Sequence, residues 1–274
     1  MPELPEVETT RRGIAPFLLK QTISKIHVRQ PQLRLPINVQ LTELCPGQQI
    51  HIISRRAKYL LLHLTTGYVL IHLGMSGHLS LINKKIAPGK HDHIDLILNN
   101  GLILRYSDPR RFGLWLYIKN DPYAHPLLAK LGPEPLSEAF NAQYLWQCSQ
   151  QKKQSIKSLI MNNAVVVGIG NIYAAESLFL ASIHPLTPAG MLNKISFSKL
   201  VTQIKAVLNA AINAGGTTLR DFYAVDGKAG YFANNLQVYG RKNLSCYYCN
   251  SVIQAIIIAG RNSFFCPSCQ QLPD

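Results

Sequence analysis

The spacing of apolar positions changes along this chain, and each change marks a different kind of structure. From Glu3 to Leu19 the spacing predicts a helix. Leu4, Val7, Ile14, Phe17 and Leu18 share a broad apolar face, while Arg11, Arg12 and the carboxylates stay polar. Pro16 weakens its last turn. Residues 22–118 then read as β-structure: Thr22–Val28, Gln49–Ser54, Lys58–Leu64, Tyr68–Leu73, Ile94–Leu98, Leu102–Tyr106 and Phe112–Ile118. Asn99-Asn100-Gly101 between two of these runs is a hairpin signal. Short strands at this spacing predict an antiparallel β-sandwich with the first helix packed at one edge.

Asp121–Pro135 is rich in proline and polar residues and reads as the domain boundary, a hinge or linker. Beyond it the period becomes helical. Helices are predicted from Ser137 to about Ser149, from Ser155 to Met161, and from Asn171, as the capping residue, to about Leu180. Ser196–Ala214 carries the most regular stripe, with Leu200, Val201, Ile204, Val207, Leu208, Ala211 and Ile212 on one side and Gly215 ending it. Thr217–Asn234 is polar and glycine-containing, and reads as a mobile loop. The expected organisation is α+β and multidomain: 1–120 a β-sandwich domain, 121–135 a linker, 136–235 a helical domain, and 236–274 a cysteine-containing hairpin.

Composition narrows the function. Hydrophobic residues make up 47% of 274, enough for a real core, and no apolar run approaches the ~20 residues of a membrane helix. Lys and Arg number 28 against 14 Asp and Glu, a net charge of +14. Such an excess points to a polyanionic partner. Nucleic acid is favoured over an anionic membrane because no basic amphipathic helix with a large aromatic face stands out. No signal peptide is apparent, and the cysteine usage fits a reducing cytosol, so a cytoplasmic monomer is expected. Cys45 and Cys148 stand alone in apolar surroundings and read as buried packing residues.

Candidate chemistry concentrates at the two ends. Removal of Met1 would leave Pro2 with a free secondary amine, and α-amino groups titrate near ~7.7–8.0. A neutral amine of this kind can attack a sugar C1′ and form an iminium ion, an electron sink for later eliminations. Glu3 and Glu6 stand ready to move protons. Pro5, Glu6 and Glu8 also simply make a good helix start. At the other end, Cys246-x-x-Cys249 and Cys266-x-x-Cys269 flank sixteen residues (250–265), the spacing of a tetrahedral thiolate zinc site on a β-hairpin. Two disulfides are the alternative. Gly168-Ile169-Gly170-Asn171 places two glycines before a helix, where backbone N–H groups can seat a phosphate or merely turn the chain. Lys58 reads as a strand lysine, and His72, His91 and His93 lack a convincing metal spacing.

Several short motifs also occur in one order from residue 2 to about 271. They are Pro2-Glu3-Leu4-Pro5-Glu6-Val7-Glu8, Arg55-Arg56-Ala57-Lys58-Tyr59-Leu60, His72-Leu73-Gly74-Met75-Ser76-Gly77, Asp108-Pro109-Arg110-Arg111-Phe112-Gly113, Gly168-Ile169-Gly170-Asn171-Ile172-Tyr173-Ala174, Tyr239-Gly240-Arg241 and the cysteine pairs. Together they resemble the bacterial formamidopyrimidine-DNA glycosylase family. The resemblance implies a β-sandwich with a flanking helix, a helix-two-turn-helix domain and a four-cysteine zinc finger. It implies excision of oxidised purines (8-oxoguanine, formamidopyrimidines) from duplex DNA through a Pro2 Schiff base and β,δ-elimination.

On this resemblance Pro2, Glu3, Glu6 and Lys58 are catalytic, and one structural Zn²⁺ sits on Cys246, Cys249, Cys266 and Cys269. Met75, Arg110 and Phe112 fill the gap left by a flipped nucleotide. His91, Lys157, Asn171, Tyr239 and Arg261 bind DNA, and a loop with Thr217, Thr218, Lys228 and Tyr231 covers the everted base. The partner is double-stranded DNA with oxidised bases or abasic sites. Two departures stand out. Ala229 replaces a frequent proline in the loop, and Ile256-Ile257-Ile258-Ala259 is apolar where a basic strand residue is expected. The rival readings are an endonuclease VIII-like enzyme for oxidised pyrimidines and a non-enzymatic zinc-finger DNA-damage binder.

Overall fold

A computed structural model describes residues 2–83, 86–217 and 232–272, the side chains of 233 and 234 apart. The chain divides into two compact units, Met1–Ala129 with Ala214–Tyr231, and Lys130–Asn213 with Phe232–Asp274.

The first unit is built on helix α1 (Leu4–Leu18) and two four-stranded antiparallel sheets. One sheet runs β1 (Ile23–Val28), β6 (Asp92–Leu98), β7 (Ile103–Ser107), β5 (His78–Ile82). The other runs β2 (Ile50–Arg56), β3 (Tyr59–Leu64), β4 (Tyr68–His72), β8 (Leu114–Ile118). Their inner faces share one core: Ile23, Ile26, Leu96 and Tyr106 from the first sheet meet Ile53, Leu62, Val69, Ile71 and Trp115 from the second. Helix α1 adds Val7, Ile14 and Leu18 to that core, which explains its apolar stripe. Phe17, counted on the stripe from sequence, is half exposed. Asn99-Asn100-Gly101 does turn β6 into β7, with Gly101 at φ +85°.

Three local expectations change. A strand, β5, and a short helix α2 (Gln40–Leu44) lie where none was predicted. Strand β5 has a weak apolar alternation, His78-Leu79-Ser80-Leu81-Ile82, and exists because β7 offers it a ladder on one side. Lys58 is not a strand residue. Ala57 and Lys58 form the two-residue turn between β2 and β3, with Arg56 paired to Tyr59 and Ala57 in the left-handed region at φ +54°. Cys45 is buried as expected, its thiol pushed up to about 12 by burial, but Cys148 is only half-buried.

The second unit holds helices α4 (Ala142–Ser149), α5 (Ile156–Ile160), α6 (Asn171–Leu180) and α7 (Lys194–Asn213), then hairpin strands β9 (Gln254–Ile258) and β10 (Arg261–Phe265). Short helix α3 (Pro126–Ala129) closes the preceding unit. Helix α4 begins later than Ser137 because Asn141 supplies the cap, its side chain accepting from the Tyr144 N–H. The Ser137 hydroxyl instead donates to the Glu134 carbonyl in a turn. Asn171 is the first residue of α6 rather than its cap; Gly170 holds the capping position. The α7 stripe is buried as its period predicts, from Phe197 to Ile212.

Candidate active site and nucleic-acid interface

The N-terminus is folded, not frayed. Pro5 sits in the first turn of α1 and Glu3 occupies its capping position. The Glu6 carboxylate accepts the Glu3 N–H at 2.8 Å, one half of a reciprocal capping box. Its other oxygen accepts the Thr217 N–H at 2.9 Å. One carboxylate therefore fixes both the residue after Pro2 and the start of the 217 loop. Pro2, Glu3 and Glu6 are all buried.

Lys58 is also buried, 8% exposed, in its tight turn. Beyond the strands, Asp108 organises the rest of this unit's site. Its carboxylate is fully buried and accepts four bonds: from the Ser76 hydroxyl at 2.7 Å, the Tyr106 hydroxyl at 2.9 Å, the Gly113 N–H at 2.9 Å and the Arg110 N–H at 3.3 Å. These bonds clamp the 73–77 turn against the 108–113 turn. Gly113 allows the clamp to close, since a Cβ there would meet the Tyr106 hydroxyl at 1.6 Å. Gly74, at φ +69°, backs onto Phe112.

The clamped turns present Met75, Arg110 and Phe112 outward. Met75 is 37% and Phe112 45% exposed, although both are apolar. The Arg110 guanidinium lies 4.8 Å from the Phe112 ring centre. Met75 and Phe112 line a cleft of about 260 Å³ with Arg34, His72 and Gly74. The His72 Nδ1 accepts the Gly74 N–H at 2.9 Å, so the neutral ring carries its proton on Nε2. Burial first, then the Lys58 and Arg34 charges, pushes His72 down to about 4. His91 is exposed on the segment leading into β6, and its carbonyl accepts the Asp108 N–H.

In the second unit Lys157, Asn171 and the β10 strand are tied together. The buried Lys157 ammonium donates to the Asn171 side chain and the Ser263 hydroxyl, each at 2.5 Å. Asn171 donates to the Asn262 carbonyl at 2.9 Å. Arg261 is exposed at the start of β10, and a cleft of about 210 Å³ between Lys157, Met161, Ile258 and Arg261 opens beside it. Tyr239 is placed by Glu176, whose buried carboxylate accepts the Gln237, Val238 and Tyr239 N–H groups at 2.8–3.0 Å. Burial pushes Glu176 above the usual carboxylate range. In the apolar strand, Ile257 is 76% exposed while Ile258 is buried.

The four terminal thiols converge: their sulfur atoms all lie within 4.8 Å of one another, and the group could hold a metal ion. Pairs stand at 3.4 Å (Cys249–Cys266), 3.5 Å (Cys249–Cys269) and 3.9 Å (Cys246–Cys269). A tetrahedral zinc with bonds of about 2.3 Å separates its sulfurs by roughly 3.8 Å. A disulfide needs about 2.05 Å, and all four cysteines are free thiols. The donor set therefore fits a metal ion such as zinc, and none of these four sulfurs is paired in a disulfide.

Sequence reading found the residues that face outward and missed those that hold them. Asp108 and Ser76 stood inside motifs without a role, Glu176 was a lone carboxylate in an apolar helix, and Arg34 gave no signal. Thr218, Lys228, Tyr231 and Ala229 lie outside the described residues.

Known proteins match this arrangement along the whole chain. Residues 1–115 match the formamidopyrimidine-DNA glycosylase N-terminal domain, and residues 131–223 match the H2TH domain of the same proteins. A formamidopyrimidine-DNA glycosylase of Legionella pneumophila is 59% identical over 99% of both chains. Among solved structures, a Lactococcus lactis Fpg variant in complex with Fapy-dG DNA aligns with a TM-score of 0.91 at 36% identity, covering 98% of this chain and 100% of that one. A MutM complex with DNA containing carbocyclic 8-oxo-G aligns with the same TM-score, identity and coverage.

Proposed function

This chain belongs to the formamidopyrimidine-DNA glycosylase family, and from that premise we propose how its residues share the work of a DNA glycosylase and abasic-site lyase. The substrate is duplex DNA carrying an oxidised purine, of the kind held by its structural relatives. Pro2, freed of Met1, is the nucleophile. Its nitrogen lone pair forms a bond to the sugar C1′, and the bond from C1′ to the base breaks. Glu3 gives a proton to the ring oxygen as the sugar opens. Loss of a C2′ proton turns the resulting iminium ion into an enamine, whose electron pair then expels the C3′–O phosphate and restores a conjugated iminium. A second elimination then breaks the C5′–O bond. The base and both phosphates are released, and water hydrolyses the iminium to free the Pro2 amine and the sugar fragment.

The observation that carries this reading is the buried N-terminal turn. A free chain end is ordinarily mobile. Here Glu3 and Glu6 are 3% and 2% exposed, and the capping box fixes the backbone directly after Pro2. A nucleophile so placed loses little entropy on reaching C1′.

The remaining assignments are those the family resemblance implies, and the geometry within each unit is compatible with them where residues are described. Lys58 is a catalytic-site cation, and Glu6 supports the site rather than shuttling protons, because both of its oxygens already accept backbone N–H bonds. Met75, Arg110 and Phe112 fill the vacancy left by the flipped nucleotide, and His91 binds backbone phosphate. Asn171, Arg261 and Tyr239 bind backbone phosphate, with Lys157 holding Asn171 in place. Thr217, held by Glu6, begins the segment assigned to lesion recognition, whose Thr218, Lys228 and Tyr231 lie outside the described residues. Zinc on Cys246, Cys249, Cys266 and Cys269 would hold the hairpin that carries Arg261. Among the described residues no helix is long and apolar enough to cross a membrane, and we place the enzyme in the cytoplasm with its DNA.

Single-turnover assays on duplexes with 8-oxoguanine, a formamidopyrimidine or an oxidised pyrimidine test the reading. Faster excision of the two purine lesions is expected. Preferential excision of the pyrimidine would favour the endonuclease VIII-like alternative, and tight binding with no cleavage would favour a damage binder.

A further inference from the structure

We propose that Arg55 is a positioning residue for Lys58, coupled through Glu8 to the helix that presents Pro2. The inference rests on the reading of Lys58 as a catalytic-site cation.

Lys58 follows Ala57, and Ala57 is in the left-handed region at φ +54°. That conformation is disfavoured for a non-glycine residue, so something must hold the turn. Arg55 supplies one restraint. Its Nη1 donates to the Ala57 carbonyl at 2.9 Å, across the turn itself. The peptide that accepts this bond is the one that leads into Lys58. Any rotation of that peptide would swing the Lys58 side chain.

Arg55 is in turn fixed from α1. Its Nε donates to Glu8 at 3.3 Å, and the side chains of both residues are 12% exposed. Glu8 is gripped by Arg11 at 2.8 Å and by Arg12 at 2.9 Å. Arg11 also donates to the Ile53 carbonyl on β2 at 3.3 Å. Burial raises the Glu8 pKa, but the hydrogen bonds from Arg11 and Arg12 and the charges of Arg11 and Arg55 hold it below the usual carboxylate range. Glu8 therefore stays ionised across the physiological range.

The consequence is a continuous polar link from α1 through Glu8 and Arg55 to the Ala57 carbonyl. The same helix fixes Glu3 next to Pro2. One rigid element thus sets both the nucleophile and the cation. Only a planar fork can bond a carboxylate with one nitrogen and a carbonyl with another at fixed angles, so a lysine at 55 would keep the charge and lose the geometry. An ordinary exposed ion pair here would contribute little to stability and nothing to chemistry.

The test uses the full chain and two duplex substrates, one with 8-oxoguanine and one with a preformed abasic site. Base release and strand cleavage are timed separately in single turnover, and thermal unfolding is recorded alongside. Lys58→Ala is expected to slow one of the two steps. Arg55→Met and Arg55→Lys should slow that same step by roughly tenfold to a hundredfold, the effect of a small misplacement of a reacting group. In a Lys58→Ala background they should have no further effect on it. Arg55→Lys serves if Arg55→Met does not fold.

Equal slowing by the Arg55 changes with and without Lys58, or no slowing in a folded Arg55→Lys, would overturn the proposal. If Lys58→Ala itself leaves both steps unchanged, the reading of Lys58 fails, and the proposal fails with it for that separate reason.

Discussion

His72 shows how one side chain can be committed to a single protonation state. Its Nδ1 is occupied by the Gly74 N–H, and its pKa is pushed down to about 4, chiefly by burial. An unfolded histidine titrates near ~6.5. Between those values the unfolded chain binds a proton that the folded chain does not, so stability must fall as pH drops from ~6.5 toward 4 and level off below. In His72→Gln this contribution is absent. Urea unfolding at pH 7 and pH 5 should show a smaller loss on acidification in the variant than in the parent; an equal loss would mean that His72 does not titrate this way. Arg110 carries the second residue-scale prediction. Its guanidinium, stacked near Phe112, offers paired donors that match the O2 and N3 acceptors of an orphaned cytosine, whereas adenine presents a donor there. A good bidentate contact gives about 1–3 kcal/mol of discrimination. Excision of 8-oxoguanine opposite cytosine should therefore outpace excision opposite adenine, and Arg110→Ala should shrink that ratio. Arg261→Ala, at a residue proposed to contact backbone phosphate, should weaken both duplexes alike. An unchanged ratio in Arg110→Ala would reduce the trio to loop packing.

At the scale of elements, the clamp between the 73–77 and 108–113 turns does what no single strand does. Asp108→Asn keeps the shape but turns one acceptor oxygen into a donor. The Gly113 N–H or the Ser76 hydroxyl then loses its acceptor, while the Arg110 N–H keeps the Ser76 oxygen at 3.2 Å and the Tyr106 hydroxyl only the long contact to the Leu73 carbonyl at 3.5 Å. Each buried group left unsatisfied costs about 1–3 kcal/mol. The urea midpoint should fall, and lesion excision should fall further than strand cleavage at a preformed abasic site, where no base need be displaced. A variant with parental stability and excision would show that the clamp is dispensable.

The same scale shows what was legible beforehand. Helix α7 and the β6–β7 hairpin were readable because their signals are local: a 3.6-residue stripe and an Asn-Gly turn. Strand β5 was not, because its stability comes from pairing with β7, distant in sequence. The start of α4 moved because Asn141 outcompetes Ser137 as a cap. Lys58 was misplaced because a left-handed alanine gives no sequence signal. Asp108 and Glu176 act on backbone N–H groups, which every residue carries, so nothing in the sequence could name their partners.

For the whole molecule, the α+β class, the sandwich and the cysteine hairpin were all apparent from period, charge and spacing. The four thiols lie close enough to share one ion. Structural zinc typically contributes on the order of 10 kcal/mol to the fold around it. Chelation, or Cys249→Ser, should weaken binding to duplex DNA and raise hydrogen exchange in β9 and β10, while the two sheets of the first unit keep their protection. Loss of protection in both units together would mean that the metal supports more than its hairpin. The central claim, however, is that the chain end itself is the nucleophile. Purified protein should have the mass of a chain beginning at Pro2, and borohydride reduction with 8-oxoguanine DNA should trap one covalent adduct. Peptide mapping is expected to place it on the Pro2 nitrogen. An adduct on a lysine side chain, with the Pro2 amine unmodified, would contradict the account.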